Sequence, residues 1–198
     1  MTSRIILASR SPRRKEILEK LGLVFEIDPP EIDETPRQGE NPVSYVQRIA
    51  AAKADKVALR HEQSCIVIAA DTTVALDREI FGQPRDLDEA RRMIQKLSKK
   101  SHSVHTAVSV RCDGRSANGL DTASVTMREV TPELLDWYLG TGESMGKAGA
   151  YAVQGQGAAL VAEVRGEIDT VIGLPVWLLT ERLAQIGVKL KDLQALSD

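Results

Sequence analysis

The sequence predicts an α/β protein, built as a single domain in which helices flank a mixed β-sheet. Short apolar segments typical of strands alternate with amphipathic segments typical of helices, which indicates this class. Some strand-type segments follow one another directly, so antiparallel pairs are expected beside parallel ones. The 198 residues suffice for one sizeable core, and the chain has no internal repeat or linker. We expect one domain over residues 1–188 and a loose C-terminal tail over residues 189–198.

The first half of the chain is predicted to hold four strands and three helices. Strands are predicted at residues 4–9, 24–27, 65–70 and 72–82, the last with a turn at Asp77-Arg78. Helices are predicted at residues 12–22, from 42 to about 60, and at 87–98. Ser11 and Pro12 suit the start of the first helix, and Asp86 with Glu89 suits a capping box for the third. The polar residues 28–41 are predicted as a loop.

The second half of the chain contains a glycine-rich segment between regular elements. Strands are predicted at 102–112, at 121–128 and near 158–164, and helices from Thr131-Pro132-Glu133 and near 175–187. Glycines crowd residues 140–157, which are predicted as loop and turn. Within this segment GESMGKA is one residue short of a P-loop and lacks the Ser/Thr after Lys147. GQGAAL lacks the third glycine of a dinucleotide fingerprint, so neither phosphate motif is met.

Composition and charge exclude several classes of function. The formal net charge is -2 with mixed signs throughout, so the chain has no basic face for nucleic acid and no polybasic tail for a membrane surface. No apolar stretch approaches the ~20 residues of a spanning helix, and the N-terminal IILA is too short for a signal sequence. We therefore expect a cytoplasmic protein that binds neither nucleic acid nor membrane and recognises anions only at a local site.

The cysteines and histidines give no disulfide or metal signature. Cys65 and Cys112 form no CxxC and lie far apart in sequence, which is typical of reduced structural thiols. His102 and His105 fall in an alternating segment, where a spacing of three residues puts them on opposite faces of a strand. We therefore expect no metal shared by these two histidines.

Two arginines fall at the unfavourable end of the first predicted helix. Arg13 and Arg14 lie in its first turn, where the helix dipole disfavours each cation by about 0.3–1 kcal/mol relative to an acid. One interpretation is that the helix start and these arginines bind an anion together. The alternative is that both are surface arginines tolerated near a cap.

Charged residues at three other places suggest metal-dependent phosphate chemistry. Asp71 follows an apolar strand, and ligands of open α/β folds bind at the carboxyl ends of strands; the alternative is a turn residue. If that strand is the parallel neighbour of the first strand, Asp71 faces the cationic helix start, as a metal-chelated polyphosphate requires. Lys53 lies on the buried stripe of the second helix, so it either finds a partner or extends past the helix edge. Glu31, Asp33 and Glu34 crowd the preceding loop, which is either functional or simply solvated.

Several long segments of the chain are similar to those of one known family. They are LASRSPRRKEILEKLG, RIAAAKA, AADTTVALD, DEARRMIQKLSKKSHSVHTAVSV, KAGAYAVQGQGA and VIGLP, in order from about residue 4 to 187. The chain thus resembles the Maf family of nucleotide pyrophosphatases. The resemblance implies an inosine triphosphatase-like fold with an active-site cleft, and a homodimer. It also implies a house-cleaning enzyme that hydrolyses nucleoside triphosphates to the monophosphate and pyrophosphate with Mg²⁺ or Mn²⁺.

The resemblance further implies roles for individual residues. The phosphates would be held by Ser9, Ser11, Arg13 and Arg14. Glu34, Lys53 and Asp71 match the acid, lysine and acid of the catalytic cluster, with Glu34 and Asp71 as metal ligands. Lys147 matches a lysine that faces the triphosphate. Two roles for Asp71 stay open, namely metal ligand and base that takes the proton of the attacking water.

The positions that mark the family branch acting on dTTP and UTP are matched by Arg13, Thr72 and Gln154. A glutamine amide offers a donor and an acceptor together, which complements uracil or thymine; the alternative for Gln154 is a loop residue bonded to backbone. The substrate-binding position where the family has a lysine near the triphosphate is Gln83 here, and Arg85 is a candidate to replace that charge. The chain also departs from the family at Gly146 and Lys99, with no assigned effect.

Two other functions remain alternatives from the sequence. The missing lysine at position 83 suggests a catalytically weak nucleotide-binding regulator linked to septum formation. A nucleic-acid-binding module is the second, and it is disfavoured by the near-neutral charge and the few aromatic residues. Trp137 or Trp177 could serve the interface of the implied homodimer, and core packing is the alternative for both.

Overall fold

The computed structural model of this chain describes residues 4–62 and 64–194. Its strands are β1 (Ile5–Leu7), β2 (Glu26–Ile27), β3 (Ile66–Leu76), β4 (Glu79–Phe81), β5 (Ser101–Cys112), β6 (Arg115–Met127) and β7 (Val161–Arg165). Its helices are α1 (Pro12–Lys20), α2 (Pro42–Ala58), α3 (Leu87–Leu97), α4 (Pro132–Gly140), α5 (Ile168–Ile172), α6 (Val176–Gln185) and α7 (Leu190–Gln194). Two 3-10 segments lie at Ala148–Ala150 and Gly155–Leu160. Each helix predicted from the sequence is present.

The strands form a mixed sheet. Its order is β2-β1-β3-β5-β6-β7, and β4 pairs with β3. β1 runs parallel to β2 and β3, whereas β4 is antiparallel to β3, and β7 is antiparallel to β6. Leu7 of β1 lies opposite Ile68 of β3. The predicted α/β class with a mixed sheet is confirmed, and so is the parallel pairing of the first strand with the strand that carries Asp71.

The chain divides into two compact units, each with its own apolar core. The first unit comprises residues 4–62, 64–71, 106–121 and 173–194, and the second comprises Thr72–His105 and Thr122–Ile172. The chain passes from one unit to the other within β3, β5 and β6, and once more between α5 and α6. The bounds of 1–188 for one domain stay a prediction.

The core of the first unit covers both faces of β1 and β3. On one face, Leu7 and Ile68 pack in a cluster with Leu18 of α1 and Leu179 of α6. On the opposite face, Ile6 and Val67 pack in a second cluster with Val57 of α2. Burial on both faces explains why these strands are continuous apolar runs rather than alternating ones.

The predicted helix starts are present, with one difference. Ser11 Oγ accepts a hydrogen bond from Arg14 N at 3.5 Å at the start of α1. Asp86 Oδ1 accepts from Glu89 N at 2.7 Å at the start of α3, which satisfies one of the free N–H groups of that helix. The Glu89 carboxylate, however, accepts from the backbone N–H of Arg85 rather than from that of Asp86. The return bond of the capping box is therefore made one residue earlier than predicted.

The second unit buries a histidine in its core. Phe81, Ile94 and Leu135 belong to its apolar cluster, together with Tyr151. His102 is 4% exposed, and its Nε2 lies 2.6 Å from Tyr151 Oη. Burial lowers the pKa of His102 to about 4, because charging the ring would cost desolvation energy. This histidine is therefore neutral at neutral pH.

The prediction that a strand ends before Asp71 is wrong. β3 is one strand of 11 residues that continues through Asp71, Thr72 and Thr73 to Leu76. Asp71 and Thr73 are 6% and 1% exposed, so both are buried inside the strand. The polar triplet interrupts an apolar run, so the sequence predicts two successive strands where the structure has one. The alternative of a turn residue for Asp71 is wrong for the same reason.

The prediction of a loose C-terminal tail is wrong for the part of the tail that the structure describes. Residues 190–194 form α7, in which Leu193 is buried in the core of the first unit. Gln194 Nε2 donates to Leu21 O at 2.9 Å. One buried leucine in a short polar sequence is too weak a periodic signal to indicate a helix. Residues 195–198 lie outside the described part.

Two further predictions concern membranes and thiols. Among residues 4–62 and 64–194, no helix is long and apolar enough to cross a membrane. Cys65 and Cys112 are both buried free thiols, in agreement with the expectation from their spacing.

Candidate active site

A buried lysine lies between two carboxylates in the first unit. Lys53 of α2 is 9% exposed, and its Nζ donates to Asp71 Oδ1 at 2.8 Å. The same Nζ lies 3.0 Å from Glu34 Oε1. Of the two interpretations of Lys53, the structure supports a lysine with partners, and both partners are residues that the resemblance placed in the catalytic cluster. A buried ion pair of this kind is tightly fixed, because losing one partner leaves an uncompensated charge.

Helix α2 contacts both the backbone and the side chain of Glu34. Tyr45 lies eight residues before Lys53, on the same buried stripe of α2. Its hydroxyl donates to Glu34 O at 3.0 Å. Burial, together with the negative charges of Asp71 and Glu34, raises the pKa of Tyr45 to about 12, so the hydroxyl stays a donor at neutral pH.

The loop that carries Glu34 is fastened by an arginine of the same helix. Arg48 donates to both carboxylate oxygens of Glu40 at 2.7 Å, a bidentate pair. Its Nη2 also donates to Thr35 O at 3.2 Å, and its guanidinium lies over the ring of Tyr45. Hydrogen bonds from Arg48 and from Arg37 N lower the pKa of Glu40 to about 2, so the pair stays charged across the neutral range. Sequence reasoning did not find Tyr45 or Arg48.

Three acids of this loop, Glu31, Asp33 and Glu34, have different environments. Glu31 is exposed and lies 3.6 Å from Arg10, and Asp33 Oδ1 accepts from Thr35 N at 2.9 Å. Glu34 alone reaches the buried lysine. The interpretation of the loop as merely solvated therefore holds for Glu31 and not for Glu34.

The two arginines at the start of α1 have different roles. Arg14 is 8% exposed, and it donates from Nε to Gly173 O at 2.8 Å and from Nη1 to Ser9 Oγ at 3.0 Å. Ser9 Oγ also accepts from Ser11 N at 3.2 Å. Arg13, by contrast, is half-buried. Arg14 is thus built into the strand-to-helix connection, which excludes the interpretation of both arginines as tolerated surface residues.

Electrostatic interactions connect Arg14 with the lysine and its carboxylates. Burial lowers the pKa of Arg14, and the charge of Asp71 opposes this effect. Burial raises the pKa of Asp71, opposed first by the charge of Lys53 and then by that of Arg14. The structure therefore brings Arg14, Lys53, Asp71 and Glu34 into one electrostatically coupled cluster. A carboxylate with increased proton affinity, held by a lysine, is suited to accept a proton from water.

The remaining candidate residues lie in the second unit. Thr72 is half-buried in β3, and Gln83 is exposed after β4. Lys147 is half-buried, and its Nζ donates to Glu143 O. Gln154 is exposed at the start of the 3-10 segment Gly155–Leu160, and its side chain makes no capping hydrogen bond to that segment. The amide of Gln154 is thus not used as a cap.

Comparison with known proteins gives the family. Residues 4–186 match the family described as Maf-like protein. The chain belongs to the Maf family. A dTTP/UTP pyrophosphatase of Anaeromyxobacter dehalogenans (strain 2CP-1) is 47% identical over 195 residues, covering 96% of this chain and 97% of the relative.

Other relatives of this Maf chain carry the same name. The dTTP/UTP pyrophosphatase of Myxococcus xanthus is 44% identical and covers 94% of each chain. That of Bacillus cytotoxicus is 41% identical and covers 92% of this chain and 95% of its own. The solved structure of a nucleoside-triphosphatase / dITP/XTP pyrophosphatase from Mycobacterium abscessus matches with a TM-score of 0.48 at 15% identity over 98% of each chain, a similarity too weak to support a conclusion.

The departures from the Maf pattern have definite surroundings in the structure. Arg85, the candidate replacement for the lysine absent at Gln83, donates from Nε to Glu89 at 2.9 Å and is engaged at the start of α3. Lys99 lies 2.6 Å from Glu129 on the surface. Arg85 is therefore paired with Glu89 of α3, the helix that Arg85 precedes.

The carboxylates of Glu34 and Asp71 fit one kind of metal binding. Among the described residues, no group of three or more His, Cys, Asp or Glu side chains could hold a metal ion. His102 contacts Tyr151, and His105 Nδ1 lies 2.8 Å from Thr122 Oγ1. Mg²⁺ commonly binds through one or two carboxylates together with substrate phosphates rather than in an all-protein cage. The two carboxylates therefore fit a metal that arrives with a triphosphate.

Proposed function

We propose that this Maf protein hydrolyses dTTP and UTP to the monophosphate and pyrophosphate. The observation that carries the proposal is the buried Lys53 between Asp71 and Glu34, coupled to the buried Arg14. Such a cluster offers a base and fixed positive charge in one place, as hydrolysis of a phosphoanhydride requires. The names of the similar proteins support the substrates.

The start of α1 is suited to hold the phosphates. Ser11 caps the helix, and α1 has no acidic residue in its first turn, so its N–H groups and Arg13 present positive charge. Arg14 fixes Ser9 through its hydrogen bond and adds a buried positive charge beside Asp71. In the second unit, Lys147 would supply a further cation to the phosphates. These cations would stabilise the charge that develops on the leaving oxygens.

Asp71 is suited to act as the base. A water oxygen attacks the α-phosphorus, its proton passes to the Asp71 carboxylate, and the bond to the bridging oxygen breaks. Pyrophosphate leaves with the electron pair of that bond. Burial raises the pKa of Asp71, which improves it as a proton acceptor, while Lys53 keeps it ionised before the reaction.

A divalent cation, Mg²⁺ or Mn²⁺, would be held by Asp71 and Glu34 and would polarise the phosphate oxygens. Two carboxylates beside a lysine are consistent with this role, because Lys53 Nζ lies 2.8 Å from Asp71 Oδ1 and 3.0 Å from Glu34 Oε1, which brings both side chains to one place. Lys53 itself would orient Asp71 in either of its two roles, as metal ligand or as base.

Base recognition is proposed for Arg13, Thr72 and Gln154. The Gln154 amide is exposed and is not used as a cap, so its N–H can donate to a carbonyl of uracil or thymine while its oxygen accepts from the N–H of the base. Gln83 occupies the sequence position of a family lysine, and its exposed amide would donate one hydrogen bond to the triphosphate.

The proposal also includes a cytoplasmic homodimer that does not bind nucleic acid. The near-neutral charge supports the absence of nucleic-acid binding. Trp137 and Trp177 are each 47% exposed, and large exposed aromatic residues are typical of interfaces. Sedimentation of the purified protein with and without UTP would establish the oligomeric state.

The decisive experiment is a panel of triphosphates assayed for release of pyrophosphate. We expect turnover of dTTP and UTP that requires Mg²⁺ or Mn²⁺ and is far slower with GTP and ATP. Asp71→Asn should abolish it while leaving the fold intact by circular dichroism. Binding of UTP without release of pyrophosphate from the wild-type protein would instead favour the nucleotide-binding regulator.

A further inference from the structure

One acid in the glycine-rich segment of the second unit fixes the turn that follows Gln154. The backbone N–H of Gln156 donates to Glu143 Oε1 at 3.1 Å, and that of Gly157 donates to Glu143 Oε2 at 3.1 Å. The side chain of Glu143 therefore accepts hydrogen bonds from the second and third residues of the 3-10 segment Gly155–Leu160, whose N–H groups would otherwise lack acceptors. Gln154 directly precedes this segment, so its backbone position depends on the carboxylate.

The backbone carbonyl of Glu143 contacts Lys147, the other candidate residue of the glycine-rich segment. Lys147 Nζ donates to Glu143 O. The position of Glu143 is itself set from α4, because its N–H donates to Thr141 Oγ1 at 3.2 Å and Thr141 Oγ1 donates to Tyr138 O at 2.6 Å. A single residue thus connects Lys147, through its carbonyl, with the turn at Gln154, through its carboxylate.

The two glycines of GQGAAL make this arrangement sterically feasible. Gly155 has φ of +64°, and a Cβ there would lie 2.7 Å from Glu143 Oε1. A Cβ on Gly157 would overlap Ala152 O, a backbone atom that cannot move aside. The glycines that resemble a nucleotide fingerprint therefore let the turn close on the carboxylate rather than on a phosphate.

We infer that Glu143 is a positioning residue for base selectivity, which holds the Gln154 turn through its carboxylate. This inference rests on the proposed function, because it assumes that Gln154 contacts the pyrimidine. The two connections of Glu143 are chemically separable. Substitution of the side chain removes the bonds to Gln156 and Gly157 and leaves the carbonyl that accepts from Lys147.

The test compares Glu143→Ala with Glu143→Gln, using Glu129→Ala as the control. Glu129 is an exposed acid of the same unit that is paired with Lys99 and lies outside the proposed site. We expect Glu143→Ala to raise KM for UTP about tenfold with a smaller change in kcat, as loss of hydrogen bonds to a charged acceptor predicts. The ratio of kcat/KM for UTP over GTP should fall by a similar factor. Glu143→Gln should recover most of the loss, since its amide oxygen still accepts one bond.

Inorganic tripolyphosphate separates positioning from general damage to the fold. Its inhibition constant should change less than twofold in Glu143→Ala and should rise about tenfold in Lys147→Met. Equal weakening of UTP and tripolyphosphate in Glu143→Ala, or an unchanged ratio of UTP over GTP, would overturn the inference.

The affinity for UMP, measured by calorimetry, tests the inference without any need for turnover. Glu143→Ala should weaken UMP binding about tenfold even if the wild-type protein releases no pyrophosphate, a result that would contradict the proposed function alone. Unchanged UMP affinity in Glu143→Ala would overturn the inference while leaving the proposed function intact.

Discussion

The candidate residues of the two units are fixed by different kinds of interaction. In the first unit, Lys53 and Asp71 lie on a long helix and a long strand and are held by a buried ion pair. In the second unit, Lys147 and Gln154 lie in turns held by hydrogen bonds that involve the backbone of residues 143–157. Regular elements position side chains more rigidly than turns do. Rigid positioning, as in the first unit, is expected for residues that carry out a reaction. Turns, as in the second unit, are typical of residues that recognise the variable part of a substrate.

Asp71→Asn should have the largest effect, because it removes the negative charge of the buried ion pair with Lys53 in the first unit. We expect kcat to fall by about 10³-fold, within the range for loss of a general base. Release of pyrophosphate from dTTP measures it, with the circular dichroism spectrum as the control for folding. Wild-type turnover by this variant would exclude Asp71 both as base and as metal ligand.

Lys53→Met should be next, with a loss of turnover of about 100-fold and a shift in pH dependence. Asp71 must be ionised to act, so activity falls as the pH drops through its pKa. The charge of Lys53 lowers that pKa, and its removal raises it. The acidic limb of kcat/KM should therefore move to higher pH in the variant. An unmoved limb would mean that another group controls it.

His102→Gln should alter stability in the second unit rather than turnover. Unfolded His102 binds a proton as the pH falls through 6.5, whereas the folded form does so only near 4. The folded state is therefore destabilised as the pH falls from 6.5 towards 4, by about 3 kcal/mol in total for this one group. The variant should lose less stability than the wild type over this interval, as measured by urea unfolding at pH 7 and pH 4.5. Equal losses in the two proteins would contradict the buried neutral histidine.

Arg48→Lys should have a moderate effect, because it tests how firmly the loop at Glu34 must be held. A lysine cannot reproduce the bidentate pair with Glu40 together with the bond to Thr35 O. We expect kcat to fall about tenfold. Arg4→Lys is a matched control, because Arg4 makes a bidentate pair with Glu26 in the same unit at an exposed position. An equal effect of both substitutions would show that fastening this loop has no specific role.

Gln83→Lys should have the smallest effect, since it restores a family lysine on the exposed part of the second unit. An exposed charge is screened by solvent and salt, so we expect kcat/KM for UTP to rise less than threefold. A larger increase would mean that the cation at position 83 is shielded from solvent when the triphosphate is bound.

The features set by local sequence could be predicted, and those set by distant contacts could not. The caps Ser11 and Asp86 depend on a few neighbouring residues, and both are present. The position of Lys53 on an apolar stripe left two interpretations open, a partner or a side chain that extends past the helix edge, and the structure shows partners. The length of β3 was missed because burial of Asp71 and Thr73 depends on residues far away in sequence.

The supporting residues of the site are the part that sequence reasoning missed entirely. Tyr45, Arg48 and Glu143 have common residue types at unremarkable positions, and each acts through a backbone carbonyl, a backbone N–H or a second side chain. Such contacts leave no periodic pattern. Two weak signals are present in the sequence. Tyr45 and Arg48 follow the acids of the loop before α2, and Glu143 precedes Gly155 and Gly157 in the glycine-rich segment.

The unbroken course of β3 through Asp71 has a consequence for how this protein can vary. A residue in the middle of a strand cannot change its position unless the backbone hydrogen bonds between the strands also change. For the same reason, an inserted residue beside it would shift the register of its neighbours. Evolution or design can therefore retune the reactivity of this carboxylate only by changing the side chains around it. Insertions and deletions must fall elsewhere in the chain, in the loops that tolerate them.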